Sequence, residues 1–346
     1  MKGATIVPLS EAPRPSVERY LAARGARSEM IAWKYFDARF NRGRNRALVW
    51  MQGDDVRGFI GLIPFTLRDG ESVRDATWTC DWSIDDPRKS PGMGIVLLRA
   101  AIGAARFAMS LGGNELTRSL LPRIAAQTIA DAGAVYVLPL RLGYVLEKVD
   151  RRLQSRVPGA PALARTLLGS LPLPAMRRRD AGIDIQPGVA PRLEHALARH
   201  PQPTPAPAYD LEYVQWQCGR CPEIDSWTVL DGRDVAASAA AVVFRARSAP
   251  GHWRMVWWEP AAGAAAAGAN VLRAASAFAR AQGARSLSAI VSRADERAAS
   301  RLRAEGFMLQ RGGQPLYVNP SDRAAFVPFD RVGSLSYLDT DLAHLP

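Results

Sequence analysis

The sequence has little cysteine and no long apolar run. Its 346 residues include three cysteines, an odd and low number that argues against a disulfide-stabilised scaffold and favours a reducing compartment. No stretch approaches the roughly 18 uninterrupted apolar residues of a membrane span. The N-terminus, MKGATIVPLSEAPRPS, lacks the apolar core of a signal peptide. We therefore expect a cytoplasmic protein without a transmembrane segment.

Histidine is also scarce, and acidic residues are outnumbered. Four histidines accompany 45 basic and 33 acidic residues, for a net charge of +12. A basic surface suits an anionic cofactor, a nucleic acid or an anionic membrane face. No motif combines basic and aromatic residues in a recognition pattern, so we expect no DNA partner. Cys218-Gly-Arg-Cys221, with His195 and His200 upstream, could hold zinc, but two ordinary thiols are the favoured interpretation and no metal site is predicted.

Composition divides the chain into three parts. Residues 1–150 and 208–346 have ordinary globular composition, whereas ten prolines punctuate residues 151–207. The sequence therefore predicts two domains joined by a proline-rich, partly helical linker. Arg177, Arg178 and Arg179 lie on this linker. A solvated basic face is the favoured interpretation of these arginines, and contact with an anionic surface is the alternative.

The most informative stretch runs from Ala76 to Ala105. An apolar strand ends near Ile84, a basic turn follows, and Gly92-Met93-Gly94 leads into a helix whose apolar residues recur at helical spacing. Glycines let backbone N–H groups approach an anion, and the positive end of the helix dipole faces it. The pattern predicts an anion site, with plain turn chemistry as the alternative.

Strands and helices surround this stretch in a recognisable order. Two hairpins precede it, with strands at Ala47–Gln52, Val56–Pro64 and Ser72–Ala76. A helix over Arg118–Ala132 and a strand over Ala134–Leu140 are predicted to follow. The aromatic cluster Trp33-Lys34-Tyr35-Phe36 is interpreted as core packing rather than as a ligand wall.

The second half repeats the plan of the first. Trp216-Gln217 stands where Trp33-Lys34 stood, and Val271–Ala275 echoes Leu97–Ala101. Such correspondence indicates a duplicated domain. The segment Pro260–Gly268, which occupies the place of the anion loop, has neither a basic residue nor a G-x-G. We predict that the second domain is a degenerate partner of the first.

Three segments resemble the GNAT acyltransferases. Lys89-Ser-Pro-Gly92-Met-Gly94 resembles their pyrophosphate loop, (Gln/Arg)-x-x-Gly-x-(Gly/Ala), with Lys89 in place of the usual first residue. Arg293–Phe307 resembles a late GNAT motif in which a helix ends in Gly-Phe. The tail Ser334–Asp341 is similar to the C-termini of tandem GNAT-like proteins associated with bacterial surface-polysaccharide synthesis. The implied class is α/β (α+β): two tandem GNAT-like domains, each with a mixed, mostly antiparallel central sheet flanked by helices.

The resemblance implies an acyl-CoA-dependent N-acyltransferase. It transfers acetyl, or another acyl group, from coenzyme A to a small-molecule amine, with an amino group on a sugar or polysaccharide precursor as one acceptor. In the family, the loop and the backbone of the preceding strand hold the cofactor. The corresponding residues are Trp82, Ser83, Ile84, Lys89, Ser90, Pro91, Gly92, Met93, Gly94 and Ile95.

Catalytic candidates each have a structural alternative. Asp81, on the strand before the loop, is the candidate base, or it caps a turn or pairs with an arginine. Tyr136, with Tyr144 as the alternative, is a candidate proton donor to the leaving thiolate, or a packing residue. Asn114 hydrogen-bonds substrate or holds a turn. Two other functions stay open: an aminoacyl-tRNA-dependent transferase, and a non-catalytic binding or assembly protein that has kept the fold.

Overall fold

The structure of the protein is a computed structural model. It describes residues 4–40, 43–153, 171, 182–199, 205–232, 239–258 and 265–324, and then residues 326, 328, 332–333 and 335–339. Residues 154–170, 172–181 and 200–204 of the predicted linker lie outside these ranges, as do residues 233–238 and 259–264. Arg177, Arg178, Arg179 and His200 lie outside the described residues, as does most of the degenerate loop.

The first half alternates helices with long strands. Its strands are β1 (Ala4–Pro8), β2 (Ala47–Gln52), β3 (Asp55–Asp69), β4 (Ser72–Ile84), β5 (Phe107–Leu111) and β6 (Gln127–Pro139). Its helices are α1 (Arg14–Ala22), α2 (Ser28–Phe36), α3 (Met93–Gly103), α4 (Glu115–Ile124) and α5 (Leu142–Leu153).

One predicted helix is too long. The structure ends α4 at Ile124 and begins β6 at Gln127, whereas the sequence pattern predicted a helix to Ala132. Asn114 starts α4, because its side chain accepts a hydrogen bond from the Thr117 amide at 2.9 Å. Residues from Gln127 onward pair with strands from the other end of the chain, and this long-range pairing overrides local helical preference.

The second half has the same alternation. Its strands are β7 (Ile183–Pro187), β8 (Ala206–Ala208), β9 (Ile224–Asp231), β10 (Ala240–Ala246), β11 (His252–Trp258), β12 (Ser286–Ser292) and β13 (Met308–Pro320). Its helices are α6 (Leu193–Arg199), α7 (Leu211–Val214), which runs on into a π-helical turn at Gln215–Gly219, α8 (Ala265–Ala281) and α9 (Glu296–Ala304).

The strands form one sheet that crosses the boundary between the halves. Its order is β1-β2-β3-β4-β5-β13-β6-β12-β11-β10-β9-β7, with β8 paired to β3. The pairs β4–β5 and β11–β12 are parallel and the remaining described pairs are antiparallel. The predicted class, a mixed α/β fold with a mostly antiparallel sheet flanked by helices, is confirmed. The strand order also shows that the two halves exchange strands. Strand β13 of the second half lies between β5 and β6 of the first half, and β6 pairs with β12 of the second half.

Equivalent positions are buried in the two halves. In α3, which follows β4, Leu97, Leu98 and Ala101 are buried, and in α8, which follows β11, Val271, Leu272 and Ala275 are buried. Each helix connects the two parallel strands of its half, as a crossover between parallel strands requires. The matching burial supports the duplication inferred from the sequence.

An aromatic stack joins the halves at the repeated Trp-Lys and Trp-Gln positions. The indoles of Trp33 and Trp216 stack with ring centroids 4.8 Å apart. Each Nε1 donates to the other residue's carbonyl oxygen, at 2.9 Å from Trp33 and 3.3 Å from Trp216. Phe40 stacks on the far side of Trp216, and the Arg46 guanidinium lies 4.6 Å from the same indole. Burial lowers the pKa of Arg46 to about 10.

The strand exchange predicts that residues 1–153 do not fold alone. Without β13, the adjoining edges of β5 and β6 lose their backbone partners, and unpaired sheet edges associate with other chains. We expect the fragment 1–153 to aggregate or to lack cooperative unfolding, measured by circular dichroism and sedimentation. Co-expression with fragment 182–346 is expected to restore a single folded species. Two monomeric fragments that each unfold cooperatively would contradict the expectation.

Candidate active site

Two parallel strands separate at the centre of the sheet. The strands β4 and β5 pair over three residues each, from Ala76 with Phe107 to Trp78 with Met109. Beyond this point β4 continues beside β3 to Ile84, while β5 ends at Leu111. The Thr79 and Ser110 hydroxyls form a close hydrogen bond where the strands begin to diverge. A wedge-shaped gap between two strands exposes backbone groups to a bound ligand.

A β-bulge bends β4 beside this gap. Gly61 of β3 pairs with Cys80 and Phe59 pairs with Ser83, so Asp81 and Trp82 together oppose a single residue. Asp81 has φ +47°, a left-handed conformation that L-residues rarely adopt. Bulges of this kind re-aim side chains and occur often beside active sites. The bulge therefore accounts for the presence of Asp81 in the wall of the gap.

The end of α2 holds the Asp81 carboxylate. Lys34 Nζ donates to Asp81 Oδ2 at 2.6 Å, and the Tyr35 hydroxyl donates to the same oxygen. Lys34 is only 3% exposed, so this ion pair is buried on its cationic side. The absence of a side chain at Gly61 makes room for the arrangement, since a Cβ there would lie 2.5 Å from the Tyr35 hydroxyl oxygen. The predicted core cluster thus supplies two polar partners to the site.

The predicted anion loop joins β4 to α3. Gly92, with φ +82°, is the N-cap of α3, a conformation that favours glycine. The Asp86 carboxylate accepts hydrogen bonds from the Arg88 and Lys89 amides at 3.1 and 3.4 Å. Lys89 Nζ lies 3.3 Å from the same carboxylate and is otherwise exposed. The Met93 and Ile95 amides donate to the Ser90 and Gly92 carbonyl oxygens at 3.3 and 3.0 Å, so at the start of α3 the Gly92 and Gly94 amides are the ones that these bonds leave for an anion.

Asn114 holds the turn after β5. In addition to the Thr117 amide, its Oδ1 accepts from the Thr117 hydroxyl at 3.0 Å. Gly113, directly before it, has φ +109°, and a Cβ there would lie 2.6 Å from the Thr117 side chain. Capping of α4 is the observed role of Asn114, and the residue also lines the cleft described next.

A cleft of about 1190 Å³ occupies the gap and extends into the second half. The first half lines it with the bulge of β4, the turn after β5 and the end of α2. The second half lines it with residues of β11, β12 and β13 and with the C-terminal turn Tyr337–Asp339. The cleft is thus assembled from both halves of the chain. Its second-half wall includes Arg254, Ile290, Gln310, Gln314, Tyr337, Leu338 and Asp339.

Asp339 is the buried carboxyl group of that C-terminal wall. It is 4% exposed, and its Oδ2 accepts from the Ser336 amide at 2.6 Å. Its Oδ1 has no hydrogen-bond partner among the residues that the structure describes. Burial raises the pKa of this carboxyl well above its usual range, and the Ser336 amide offsets only part of that effect. Burial also raises the pKa of neighbouring Tyr337, whose hydroxyl lies 2.7 Å from the Ser288 hydroxyl.

The predicted site residues do not all come together. Asp81, Trp82, Ser83 and Asn114 line the cleft, and the anion loop begins where β4 ends. Tyr136 lies elsewhere: it packs in the core of the second half, and its hydroxyl is 3.4 Å from Arg303 Nη1. Its neighbour Val135 lines the cleft, and successive strand residues point to opposite faces. A role for Tyr136 in proton transfer stays an untested prediction.

Sequence reasoning missed the two tyrosines and the carboxyl group that line the cleft. Tyr35 was treated as core, and Tyr337 and Asp339 were not singled out. Two sequence features could have pointed to these residues: the repeated Trp-Lys and Trp-Gln pairs, and the resemblance of the C-terminal tail.

Cys218 and Cys221 are both buried, and burial raises the pKa of the Cys218 thiol. Within the described ranges, no three histidine, cysteine or acidic side chains are placed to hold a metal ion.

Solved structures with this fold include several acyltransferases. A GCN5-related N-acetyltransferase from Anabaena variabilis matches with a TM-score of 0.56 at 10% identity, over 92% of this chain and 73% of that chain. N-myristoyltransferase from the yeast Saccharomyces cerevisiae, with myristoyl-CoA bound, matches with a TM-score of 0.53 at 12% identity, over 92% of this chain and 83% of that chain. A tandem GNAT protein from the clavulanic acid biosynthesis pathway matches with a TM-score of 0.52 at 14% identity, over 92% of this chain and 99% of that chain. These similarities show that the chain shares the mixed α/β fold of GNAT proteins, a tandem GNAT protein among them.

The sequence itself matches no family model and no curated protein. Among the described helices, none is both long enough and apolar enough to cross a bilayer.

The buried ion pair predicts a large loss of stability when its cation is removed. Lys34→Met leaves the Asp81 carboxylate without its charge partner, which lowers the free energy of unfolding by about 3–5 kcal/mol. Adding Asp81→Asn, which removes the charge and tolerates the left-handed backbone at this position, is expected to recover most of this loss, measured by urea denaturation. The matched control is Lys89→Met, which breaks an exposed pair and is expected to leave the stability nearly unchanged. Equal effects of the two single variants would contradict the interpretation.

The raised pKa of Asp339 predicts a pH-dependent stability difference. Between the unfolded pKa, about 4, and the raised folded pKa, the folded state binds this proton more tightly than the unfolded state does. The contribution is therefore fully present at low pH and is lost as the pH rises through the folded pKa. From pH 4 to pH 7 we expect the Tm of wild type to fall relative to that of Asp339→Asn. Asp69→Asn, at the exposed β3–β4 turn, should follow wild type, whereas parallel curves for wild type and Asp339→Asn would refute the assignment.

Proposed function

We propose that the protein is an acyl-CoA-dependent N-acyltransferase that uses acetyl-CoA or another acyl-CoA. The observation that carries the proposal is the combination of diverging parallel strands, a glycine loop at the start of α3 and a cleft between them. The GNAT fold supports the same reaction class, since solved proteins of this fold include N-acetyltransferases and an N-myristoyltransferase with myristoyl-CoA bound.

The loop and the edge of β4 are the proposed cofactor site. A pyrophosphate would receive the Gly92 and Gly94 amides and the positive end of the helix dipole, and the exposed Lys89 ammonium would neutralise part of its charge. A side chain at Gly94 would reach toward Trp82, whose Cζ2 lies 3.4 Å from the position of a Cβ. The pantetheine would follow the unpaired edge of β4. The residues involved are Trp82, Ser83, Ile84, Lys89, Ser90, Pro91, Gly92, Met93, Gly94 and Ile95.

The bulge is the proposed reaction centre. A backbone amide that the bulge leaves outside the ladder can donate to the thioester oxygen as charge develops on it. Asp81, which the sequence predicted as the base, is held by Lys34 and Tyr35 and is proposed to fix the bulge, and Asn114 is proposed to contact the substrate from the wall of the cleft. The acceptor is a small-molecule amine that enters from the second-half side. We extend the proposal, from the resemblance of the tail, to an amino group of a sugar or polysaccharide precursor in the bacterial cytoplasm.

Gly94→Glu tests the cofactor site while keeping the helix intact. Glutamate in the first turn favours the helix dipole and has a better helix propensity than glycine, so the fold is expected to be at least as stable. The same carboxylate repels a pyrophosphate and fills the space that it needs. We expect wild type to bind acetyl-CoA and CoA in calorimetric titration and the variant to bind at least about tenfold more weakly.

Gly103→Glu is the matched control. It makes the same chemical change at the other end of α3, where a Cβ would have nothing within 4 Å. This variant is expected to bind CoA as wild type does. If folded wild type binds no CoA, or if Gly94→Glu binds it as tightly as Gly103→Glu does, the proposed cofactor site is wrong.

A further inference from the structure

Two carboxyl groups line the cleft, one from each half of the chain. Asp81 belongs to β4 of the first half, and Asp339 belongs to the C-terminal turn of the second half. Their surroundings differ in charge. Lys34 and Tyr35 both bind Asp81 Oδ2, so this carboxylate already has a cation as its partner. Asp339 is bound by the amide and hydroxyl of Ser336, both through Oδ2, and both donors are neutral.

The duplicated aromatic pair positions both groups. Trp33 and Trp216 stack on each other, and the residue that follows each of them reaches a carboxyl-bearing segment. In the first half that residue is Lys34, which holds Asp81. In the second half it is Gln217, whose Nε2 donates to the Leu338 carbonyl at 3.3 Å. The Tyr213 hydroxyl donates to the same carbonyl at 3.1 Å, so the peptide before Asp339 is held from two sides.

The fixed position of Asp339 leaves one oxygen without a donor. Oδ1 is closed off from solvent and has no hydrogen-bond partner among the described residues, although Asp339 lines a large cleft. Buried polar atoms are almost always hydrogen-bonded, and an exception in a native structure calls for an explanation. A donor that enters the cleft would supply the missing bond once the Asp339 side chain turns Oδ1 from its buried position toward the cleft. An ammonium group satisfies this position best, because it brings both the donor and the positive charge that Asp81 obtains from Lys34.

We propose that Asp339 binds the amino group of the acceptor through Oδ1 and takes a proton from it. The proposal rests on the proposed acyltransferase function and adds the residue that recognises the acceptor. Arg254 and Tyr337 flank the site, with the guanidinium 5.8 Å from the centre of the phenol ring. The acceptor class is a primary amine whose body lies along the second-half wall.

The step balances with the groups at hand. The acceptor enters as an ammonium ion and passes one proton to the Asp339 carboxylate, which leaves a neutral amine. The amine nitrogen attacks the thioester carbon, the carbon–nitrogen bond forms and the carbon–sulfur bond breaks. The second proton leaves the nitrogen for the departing thiolate, and Asp339 returns its proton to solvent. Burial, which raises the pKa of the Asp339 carboxyl, favours the proton-bound form that this step requires.

Amine binding to the CoA-loaded protein tests the proposal. The probes are ethanolamine and glucosamine, each compared with the analogue in which hydroxyl replaces the amino group, ethylene glycol and glucose. Saturation-transfer NMR at pH 7 gives the affinity of each. We expect wild type to bind the amines at least about tenfold more tightly than their hydroxyl analogues, since a charged hydrogen bond is lost in the analogues. Asp339→Asn should abolish the difference, whereas Asp69→Asn should preserve it.

Each outcome decides the question. The inference is overturned if wild type binds amines and hydroxyl analogues alike, or if Asp339→Asn keeps the preference. The wild-type comparison needs no variant, so it holds even if Asp339→Asn does not fold. Calorimetry with CoA separates the two levels of the argument. If the protein binds CoA but shows no preference for amines, the role proposed for Asp339 is wrong and the cofactor site stands. If it prefers amines but does not bind CoA, the amine site stands and acyl-CoA as the donor is wrong.

Discussion

The position of β13 between β5 and β6 is the constraint on which the cleft depends. Because this strand comes from the far end of the chain, neither half completes the sheet around the gap with its own residues. The neighbouring β4 and β5 can diverge because each keeps an antiparallel partner on its outer side, β3 and β13 respectively. The backbone groups lost from one pairing are then available to a ligand, while the sheet as a whole stays continuous.

Duplication has left the halves similar in packing and different in chemistry. Trp33 and Trp216 make the same stacking and hydrogen-bonding contacts from both sides, which is what a duplicated interface requires. The next residue breaks the symmetry, because Lys34 carries a charge and Gln217 does not. A buried ammonium needs a carboxylate partner, whereas the neutral Gln217 amide group donates through Nε2 to the Leu338 carbonyl and the Tyr213 hydroxyl. This one difference decides which of the two carboxyl groups in the cleft carries its own cation.

Local patterns predicted the hairpins, the loop at Lys89–Gly94 and the helix after it, because turn residues and apolar periodicity act over a few positions. The end of α4 and the start of β6 were misplaced, since the pairing of β6 with β12 and β13 is decided by residues at least 147 positions away, the separation of Pro139 and Ser286. The same limit applies to the site. Asp81 was found because it adjoins a recognisable strand and loop. Asp339 sits in a short C-terminal turn with no periodicity, and only the folded chain brings it to the cleft.

Charge compensation separates the roles of the two carboxyl groups. Where two titratable groups share a cleft, the one with a built-in cation is stabilised in its charged form, and the one without is not. Asp81 meets the first condition through Lys34, whereas burial acts on Asp339 with only the Ser336 donors against it. A base must also be able to release its proton and bind the next substrate, which an exchangeable partner permits and a resident lysine opposes. The arrangement therefore suits Asp81 to fixing the bulge and Asp339 to meeting a cation that comes and goes.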